Sequence, residues 1–109
     1  MYGLIVKLIV LPGKRDEMIA ILQESTVDMP GCFSYVVAKD SAEDNLIWVT
    51  EVWESLASHD ASLSLPSVKN AMPQAKAIVS SLEKMAVTSP VWGVGLPAVQ
   101  PFCSVDLRS

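Results

Sequence analysis

The residue types best suited to proton transfer occur close together in the chain, at Glu51 and His59. The one histidine has an ordinary pKa of about 6.5, so it can act as a general base or proton shuttle at neutral pH. Glu51 lies in an apolar run, where burial would raise the pKa of its carboxyl and suit it to acid–base work. Each also has a purely structural interpretation. His59 could be a half-buried helix residue beside Leu56 and Leu63, and Glu51 could accept a backbone or tryptophan N–H.

Aromatic side chains near these two residues could hold a flat substrate. Trp53 shares a strand face with Glu51, because one residue separates them, and Trp48 lies earlier in the same strand. Tyr35, in a preceding apolar segment, could offer a hydroxyl group to the same ligand. Plain core packing is the alternative for all three, since aromatic residues are common in the core. A base beside aromatic walls favours a small aromatic substrate.

Several other chemistries are not indicated by the sequence. It contains no G-x-S-x-G, P-loop, G-x-G-x-x-G or H-E-x-x-H motif, and one histidine with two distant cysteines cannot form an ordinary structural zinc site. We therefore expect no metal and no cofactor. A net charge of −4 without a basic cluster argues against nucleic acid, and no apolar run approaches the roughly 20 residues of a membrane span. Cys32 and Cys103 are expected to be free thiols in a cytoplasmic protein without a signal peptide.

Hydrophobic patterns predict the elements that position the candidate residues. Residues 2–11 are a near-continuous apolar strand, residues 14–25 an amphipathic helix and residues 32–39 a second strand. The third strand ends at Trp53 and is largely apolar on both faces, which is typical of a central strand. Its short polar connection to the second strand predicts an antiparallel hairpin. Ser55 has the position of a helix N-cap, so a helix carrying His59 follows directly.

The second half of the chain contains a longer helical pattern and a last strand. Apolar residues recur at helical spacing at Val68, Met72, Ala75, Val79 and Leu82. Pro73 lies inside this pattern and predicts that the helix is kinked or restarts there. Residues 84–91 are the fourth predicted strand. Residues 93–109 have no periodicity and are predicted to be a tail outside the domain of residues 2–92.

The order β-α-β-β-α-β predicts an α+β fold, with a ferredoxin-like antiparallel sheet and helices on one of its faces. Because the strands are largely apolar on both sides, the second sheet face also needs a cover. No further element of the chain is long enough to supply one. The sequence therefore predicts a homodimer that forms through the sheet face.

Four short pieces of sequence carry a family resemblance: residues 11–14 (LPGK), 30–35 (PGCFSY), 51–55 (EVWES) and 65–67 (LPS). In this order and spacing they resemble the antibiotic biosynthesis monooxygenase domain over about residues 2–92. The resemblance implies a dimeric α+β barrel. The functions it implies are cofactor-free oxygenation of quinols or polyketide-derived phenols, isomerisation of a phosphorylated autoinducer, and haem degradation.

The family pattern usually has histidines where this chain has Ser62 and Ser67, so the resemblance makes these serines candidates for substrate binding. Haem degradation ranks low, because the counterpart of the axial histidine is Ser62. The leading hypothesis is a cofactor-independent monooxygenase, in which His59 or Glu51 takes a phenolic proton and Trp53 holds the ring while the anion reacts with dioxygen. The alternatives in the same fold are an isomerase, a dimer that binds a small molecule without turnover, and a dimer whose pocket is filled by side chains.

Overall fold

The computed structural model describes residues 1–97, which form four strands and three helices. In chain order these are β1 (Tyr2–Val10), α1 (Arg15–Ser25), β2 (Cys32–Lys39), β3 (Leu46–Trp53), α2 (Leu56–Ser62), α3 (Pro66–Ile78) and β4 (Val79–Thr88). The strands form one antiparallel sheet in the order β2-β3-β1-β4. This confirms the predicted α+β, ferredoxin-like fold. None of the helices in this range is long and apolar enough to cross a membrane.

The main difference from the sequence prediction is at the junction of α3 and β4. Val79 and Leu82, predicted as the last helical positions, lie in β4, where they pair with Val10 and Leu8. Their spacing fits a helix, but a long-range pairing with β1 decides their conformation, and the sequence pattern does not report that pairing. The helix α3 also runs through Pro73 without restarting. Pro73 is exposed, so water can hydrogen-bond the carbonyl group that loses its partner.

One face of the sheet, which we call the inner face, carries the core. Its alternate residues on β1 and β3 pack against α1 and α3, and Met18 of α1 is only 1 % exposed. The buried residues of this core are Leu4, Val6, Leu8, Val10, Met18, Ile21, Ile47, Val49 and Ile78. Any cavity between the sheet and the helices must therefore be bordered by the inner face and by α1 and α3.

The opposite face, which we call the outer face, carries Ile5, Trp48, Thr50 and Val36. Thr50 is exposed, Val36 is 53 % exposed, and Ile5 and Trp48 are half-buried. The described helices pack on the inner face, so they do not cover these side chains. Lys7, which pairs with Trp48, also lies on this face. The predicted homodimer depends on the apolar side chains of this face that are in contact with water.

The hairpin between β2 and β3 is held by Asp40. Its Oδ1 accepts the indole N–H of Trp48 at 2.8 Å, and its Oδ2 accepts the backbone N–H groups of Ala42 and Glu43 at 3.0 and 2.8 Å. Arg15 Nη1 donates to the carbonyl of Glu43 at 2.9 Å, which ties α1 to the same turn. The bond from Trp48 and the two backbone bonds lower the pKa of Asp40 from 3.8 to about 2.

Replacement of Asp40 by asparagine should therefore weaken the fold in a pH-dependent way. The lowered pKa means that the aspartate contributes stability above pH 3.8, and that this contribution is lost as the pH falls towards 2. We expect Asp40→Asn to lower the urea midpoint at pH 7 and to approach the wild-type midpoint near pH 2. Asp44→Asn, an exposed change in the same turn, is the control and should show no such convergence. An equal loss at both pH values would contradict the role of the carboxylate.

The exposed outer face leads to an expectation about assembly. A second copy that packs its own outer face on this one would give a particle of twice 11.8 kDa in sedimentation at micromolar concentration. Val36→Lys places a charge on this face and should shift the protein to the monomer. Val27→Lys is the matched control, because Val27 is equally exposed, at 55 %, but lies outside the sheet. A monomeric wild-type protein would contradict the expected dimer.

Candidate functional site

A cavity of about 300 Å³ lies between the inner face of the sheet and the helices. Most of its lining is apolar and comes from Leu4, Val6, Leu8, Met18, Leu22, Val49, Leu63, Ala75, Val79 and Leu82. Four polar side chains also line it: Tyr35, Glu51, His59 and Lys84. The structure thus brings three of the residues predicted from sequence into one cavity.

Glu51 is a buried carboxyl group, 7 % exposed, on the inner face of β3. Its Oε1 accepts the indole N–H of Trp53 at 2.8 Å. Burial raises the pKa of Glu51 above its ordinary value of 4.5, although the hydrogen bond from Trp53, His59 when protonated, and the charge of Lys84 act in the opposite direction. The carboxyl therefore keeps its proton to a higher pH than an exposed glutamate, and it can both accept and donate a proton in the cavity.

Trp53 supports the site without lining the cavity. It is 1 % exposed and lies behind Glu51 and His59, with its ring edge-on to the imidazole at a centroid distance of 5.5 Å. Trp53 was predicted to hold an aromatic substrate. The structure places it one layer further from the cavity, where it fixes the orientation of Glu51 and packs against His59.

His59 is held on three sides. Tyr2 lies against the imidazole at a centroid distance of 5.5 Å, Trp53 packs on it edge-on, and Asp60 Oδ1 lies 3.0 Å from Nδ1. If the N–H of the neutral ring is on Nδ1, bonded to the Asp60 carboxylate, then Nε2 is the free basic nitrogen. The side chain is 12 % exposed and lines the cavity. This is a suitable arrangement for a general base.

The start of α2 determines where His59 lies. Ser55 is the N-cap, as predicted, because its Oγ accepts the backbone N–H of Ser58 at 3.1 Å. The cap lies two residues after the end of β3, and the short helix that follows places His59 against Trp53. The short connection between β3 and α2 therefore brings Glu51 and His59 together.

Tyr35 lines the cavity from β2, which pairs it with Glu51 across the sheet. Burial and the negative charge of Glu51 raise the pKa of Tyr35 above its ordinary value of 10.0. The phenol therefore stays protonated at neutral pH and can donate a hydrogen bond to a ligand. This is the role that the sequence prediction considered for it.

Three other candidates do not reach the cavity. Trp48 lies on the outer face, because it alternates with Val49 and Glu51 along β3. Ser62 is buried, but its Oγ donates to the carbonyl of His59 at 2.6 Å within the helix. Ser67 is exposed in the first turn of α3 and is not among the lining residues. The structure thus separates these residues from Glu51, His59 and Tyr35.

Lys84, Asp60 and Tyr2 were missed by the sequence reasoning. Lys84 shares a strand face with Leu82, which lies two residues before it in β4, so a correct start of that strand would have placed it on the inner face. Asp60 directly follows His59, and adjacency in sequence was the available signal for their contact. Tyr2 approaches His59 through the pairing of β1 with β3, which no local pattern reports.

The structure describes one of the two cysteines and all the residues of the sheet and helices that could hold a metal ion. Cys32 is a free thiol, half-buried in β2, with a pKa raised chiefly by burial. Cys103 lies outside the described residues, as does most of the predicted tail. Within residues 1–97, no three histidine, cysteine, aspartate or glutamate side chains are grouped closely enough to hold a metal ion.

Comparison with known proteins identifies relatives of the whole domain. The family model described as antibiotic biosynthesis monooxygenase matches residues 1–74. A crystal structure from Chloroflexus aurantiacus, named for the same family, is 50 % identical, with a TM-score of 0.84 over 88 % of this chain and 98 % of that one. A structure from Nitrosomonas europaea with the same family name has the same fold at 10 % identity, with a TM-score of 0.75 over 84 % of this chain and all of that one. No curated protein matches the sequence.

The raised pKa of Glu51 leads to a prediction about stability. Glu51→Gln keeps an oxygen that accepts the Trp53 N–H but removes the cost of ionising a buried carboxyl. The folded wild-type protein binds this proton more tightly than the unfolded chain does, so it loses stability as the pH rises above 4.5. We expect Glu51→Gln to melt a few degrees higher than wild type at pH 7 and to lose this advantage below pH 4.5.

Calorimetry across this pH range provides the measurement. Glu24→Gln, at an exposed position of α1, is the control and should differ little from wild type at either pH. A variant at position 51 that melts below wild type at pH 7 would show that the ionised carboxylate stabilises the fold. That result would contradict the desolvation argument.

Proposed function

This chain belongs to the antibiotic biosynthesis monooxygenase family, and we propose that it is a cofactor-independent monooxygenase that oxidises a small quinol or polyketide-type phenol with dioxygen. The observation that carries the proposal is the cavity of about 300 Å³, which is apolar except for a few polar side chains, His59 and Glu51 among them. Apolar walls exclude water around the reacting ring, which strengthens electrostatic interactions inside the cavity. The apolar lining with a few polar side chains supports a small aromatic substrate.

The size of the cavity supports a small ligand. A volume of about 300 Å³ is at the lower end of the range for small-molecule sites, and one or two fused rings fit in such a space. Tyr35 and Glu51, which are paired across the sheet, line the cavity. The phenol of Tyr35 and the protonated carboxyl of Glu51 can each donate a hydrogen bond to a ring oxygen. A quinol carries two such oxygens on an otherwise apolar ring, so its polarity matches that of the lining.

The reaction begins with proton removal by His59. Nε2 takes the phenolic proton, and the Asp60 carboxylate stabilises the imidazolium ion that forms. The substrate anion transfers an electron to dioxygen, and the resulting radicals combine to form a carbon–oxygen bond at the ring. The outer peroxide oxygen is protonated, the ring carbon that carries the peroxide loses its hydrogen as a proton, and cleavage of the O–O bond releases water and leaves a carbonyl group. One oxygen atom enters the ring, the other leaves as water, and the substrate supplies the electrons.

Glu51 has a separate part in this scheme. Its raised pKa makes it a better proton donor near neutrality than an exposed glutamate. It can therefore return a proton to the peroxide oxygen when water leaves. Trp53 is a positioning residue, since its N–H holds one carboxyl oxygen and leaves the other for the substrate. Two groups with different proton affinities in one apolar cavity can share the acid and base steps.

Oxygen uptake with a panel of quinols and hydroxynaphthoquinols tests the proposed reaction. We expect uptake by wild type, a fall in kcat of about 100-fold or more for His59→Ala, because general-base catalysis contributes 10²–10⁴-fold, and a smaller fall for Glu51→Gln. Ser67→Ala, exposed and outside the cavity, is the control and should keep wild-type kcat.

Two outcomes would contradict the proposal in different ways. Unchanged uptake in both variants would remove His59 and Glu51 from the mechanism. No uptake with any substrate, together with binding of the same compounds in the cavity, would favour an isomerase or a small-molecule-binding dimer over an oxygenase.

A further inference from the structure

Among the described residues that line the cavity, Lys84 is the one with a permanent positive charge. It lies on β4, an edge strand, and pairs with Val6, whose side chain also lines the cavity. Lys84 is exposed, and Leu82, the next lining residue on the same strand, is 58 % exposed. This edge of the sheet is therefore an open side of the cavity, with the lysine at its mouth.

No acidic side chain within residues 1–97 forms an ion pair with Lys84. The ion pairs within residues 1–97 join Lys14 to Glu17, Lys39 to Asp16 and His59 to Asp60, so none includes Lys84. Glu51 is close enough for the lysine to lower its pKa, but this is the last of the effects on that carboxyl, and burial outweighs it. Glu51 is bonded to Trp53 instead. The part of the cavity between Lys84 and Glu51 therefore has an ammonium group on one side and a buried carboxyl on the other.

We propose that Lys84 is a specificity-determining residue that selects aromatic substrates with an anionic oxygen, a carboxylate or a phenolate, placed at the mouth of the cavity. An ammonium group donates a charge-assisted hydrogen bond to such an oxygen, while the ring lies between the apolar walls. The chain has a net charge of −4, so a local positive charge at the mouth offsets the repulsion of an anion by the protein as a whole. This inference names the substrate class of the proposed function and rests on it.

Binding of two matched probes to the full chain, measured by calorimetry, tests the role of Lys84 without turnover. The probes are 2-naphthoate, which carries a carboxylate, and 2-naphthol, which is neutral at pH 7. We expect Lys84→Gln to bind 2-naphthoate about tenfold more weakly, Lys84→Arg to restore most of the affinity, and both variants to bind neutral 2-naphthol as wild type does. Lys76→Gln, an exposed lysine of α3 outside the cavity, is the matched control and should bind both probes normally.

A pH series separates the two sources of an anionic oxygen. If the lysine also recognises a phenolate, the affinity of wild type for 2-naphthol rises as the probe ionises, and Lys84→Gln lacks this rise. If it recognises only a carboxylate, the two proteins respond alike to 2-naphthol, and the difference is confined to 2-naphthoate. High salt should weaken the binding of the anionic probe to wild type more than to Lys84→Gln.

Three results would overturn the inference: equal affinity of wild type and Lys84→Gln for 2-naphthoate, equal losses for the charged and neutral probes, or a wild-type protein that binds 2-naphthol but not 2-naphthoate. Each is distinct from failure of the proposed reaction. Absence of oxygen uptake with intact charge discrimination would remove the monooxygenase reaction alone. Loss of discrimination with intact uptake would remove the role of Lys84 alone.

Discussion

The hydrogen bond from the indole N–H of Trp53 to the carboxyl of Glu51 is the interaction around which the site is built. The two residues are separated by one position on the inner face of β3, so the strand itself sets their separation. The bond satisfies a carboxyl oxygen that would otherwise be buried without a partner. It also holds the Trp53 ring, against which His59 packs. This donor therefore orients Glu51, and its ring orients His59 together with Tyr2 and Asp60.

The two tryptophans of β3 show how surroundings decide the effect of the same contact. Each donates its indole N–H to a carboxylate at 2.8 Å, Trp53 to Glu51 on the inner face and Trp48 to Asp40 on the outer side. The pKa of Asp40 falls, because the carboxylate stays in water and gains further backbone N–H bonds. The pKa of Glu51 rises, because burial destabilises the charged carboxylate more than the hydrogen bond from Trp53 stabilises it. The first pair stabilises a turn, and the second holds the carboxyl to which the proposed reaction assigns a proton transfer.

The two faces of the sheet have different surroundings: the inner face borders the cavity, and the outer face is in contact with water. The inner face is covered by helices except along β4, where exposed Leu82 and Lys84 leave the cavity open. The described helices leave the outer face uncovered, and its apolar side chains, Ile5, Val36 and Trp48, suit contact with a second copy. A substrate can therefore enter along β4 without crossing the surface that assembly would bury. This separation depends on the alternation of side chains along each strand.

The sequence by itself determined the order of the elements, the central position of β3 and the N-cap at Ser55, because hydrophobic period, turn residues and capping are local properties. It also indicated Glu51 and His59, since their types and proximity in the chain imply proton transfer. Only the tertiary structure decided that α3 ends at Ile78, that Trp53 lies behind the cavity and that Ser62, Ser67 and Trp48 do not line it. These outcomes depend on strand pairing and on which face each side chain meets. Such contacts also bring Tyr2 against His59 through the pairing of β1 with β3, and the pairing of β4 with β1 fixes the strand start that places Lys84 at the cavity.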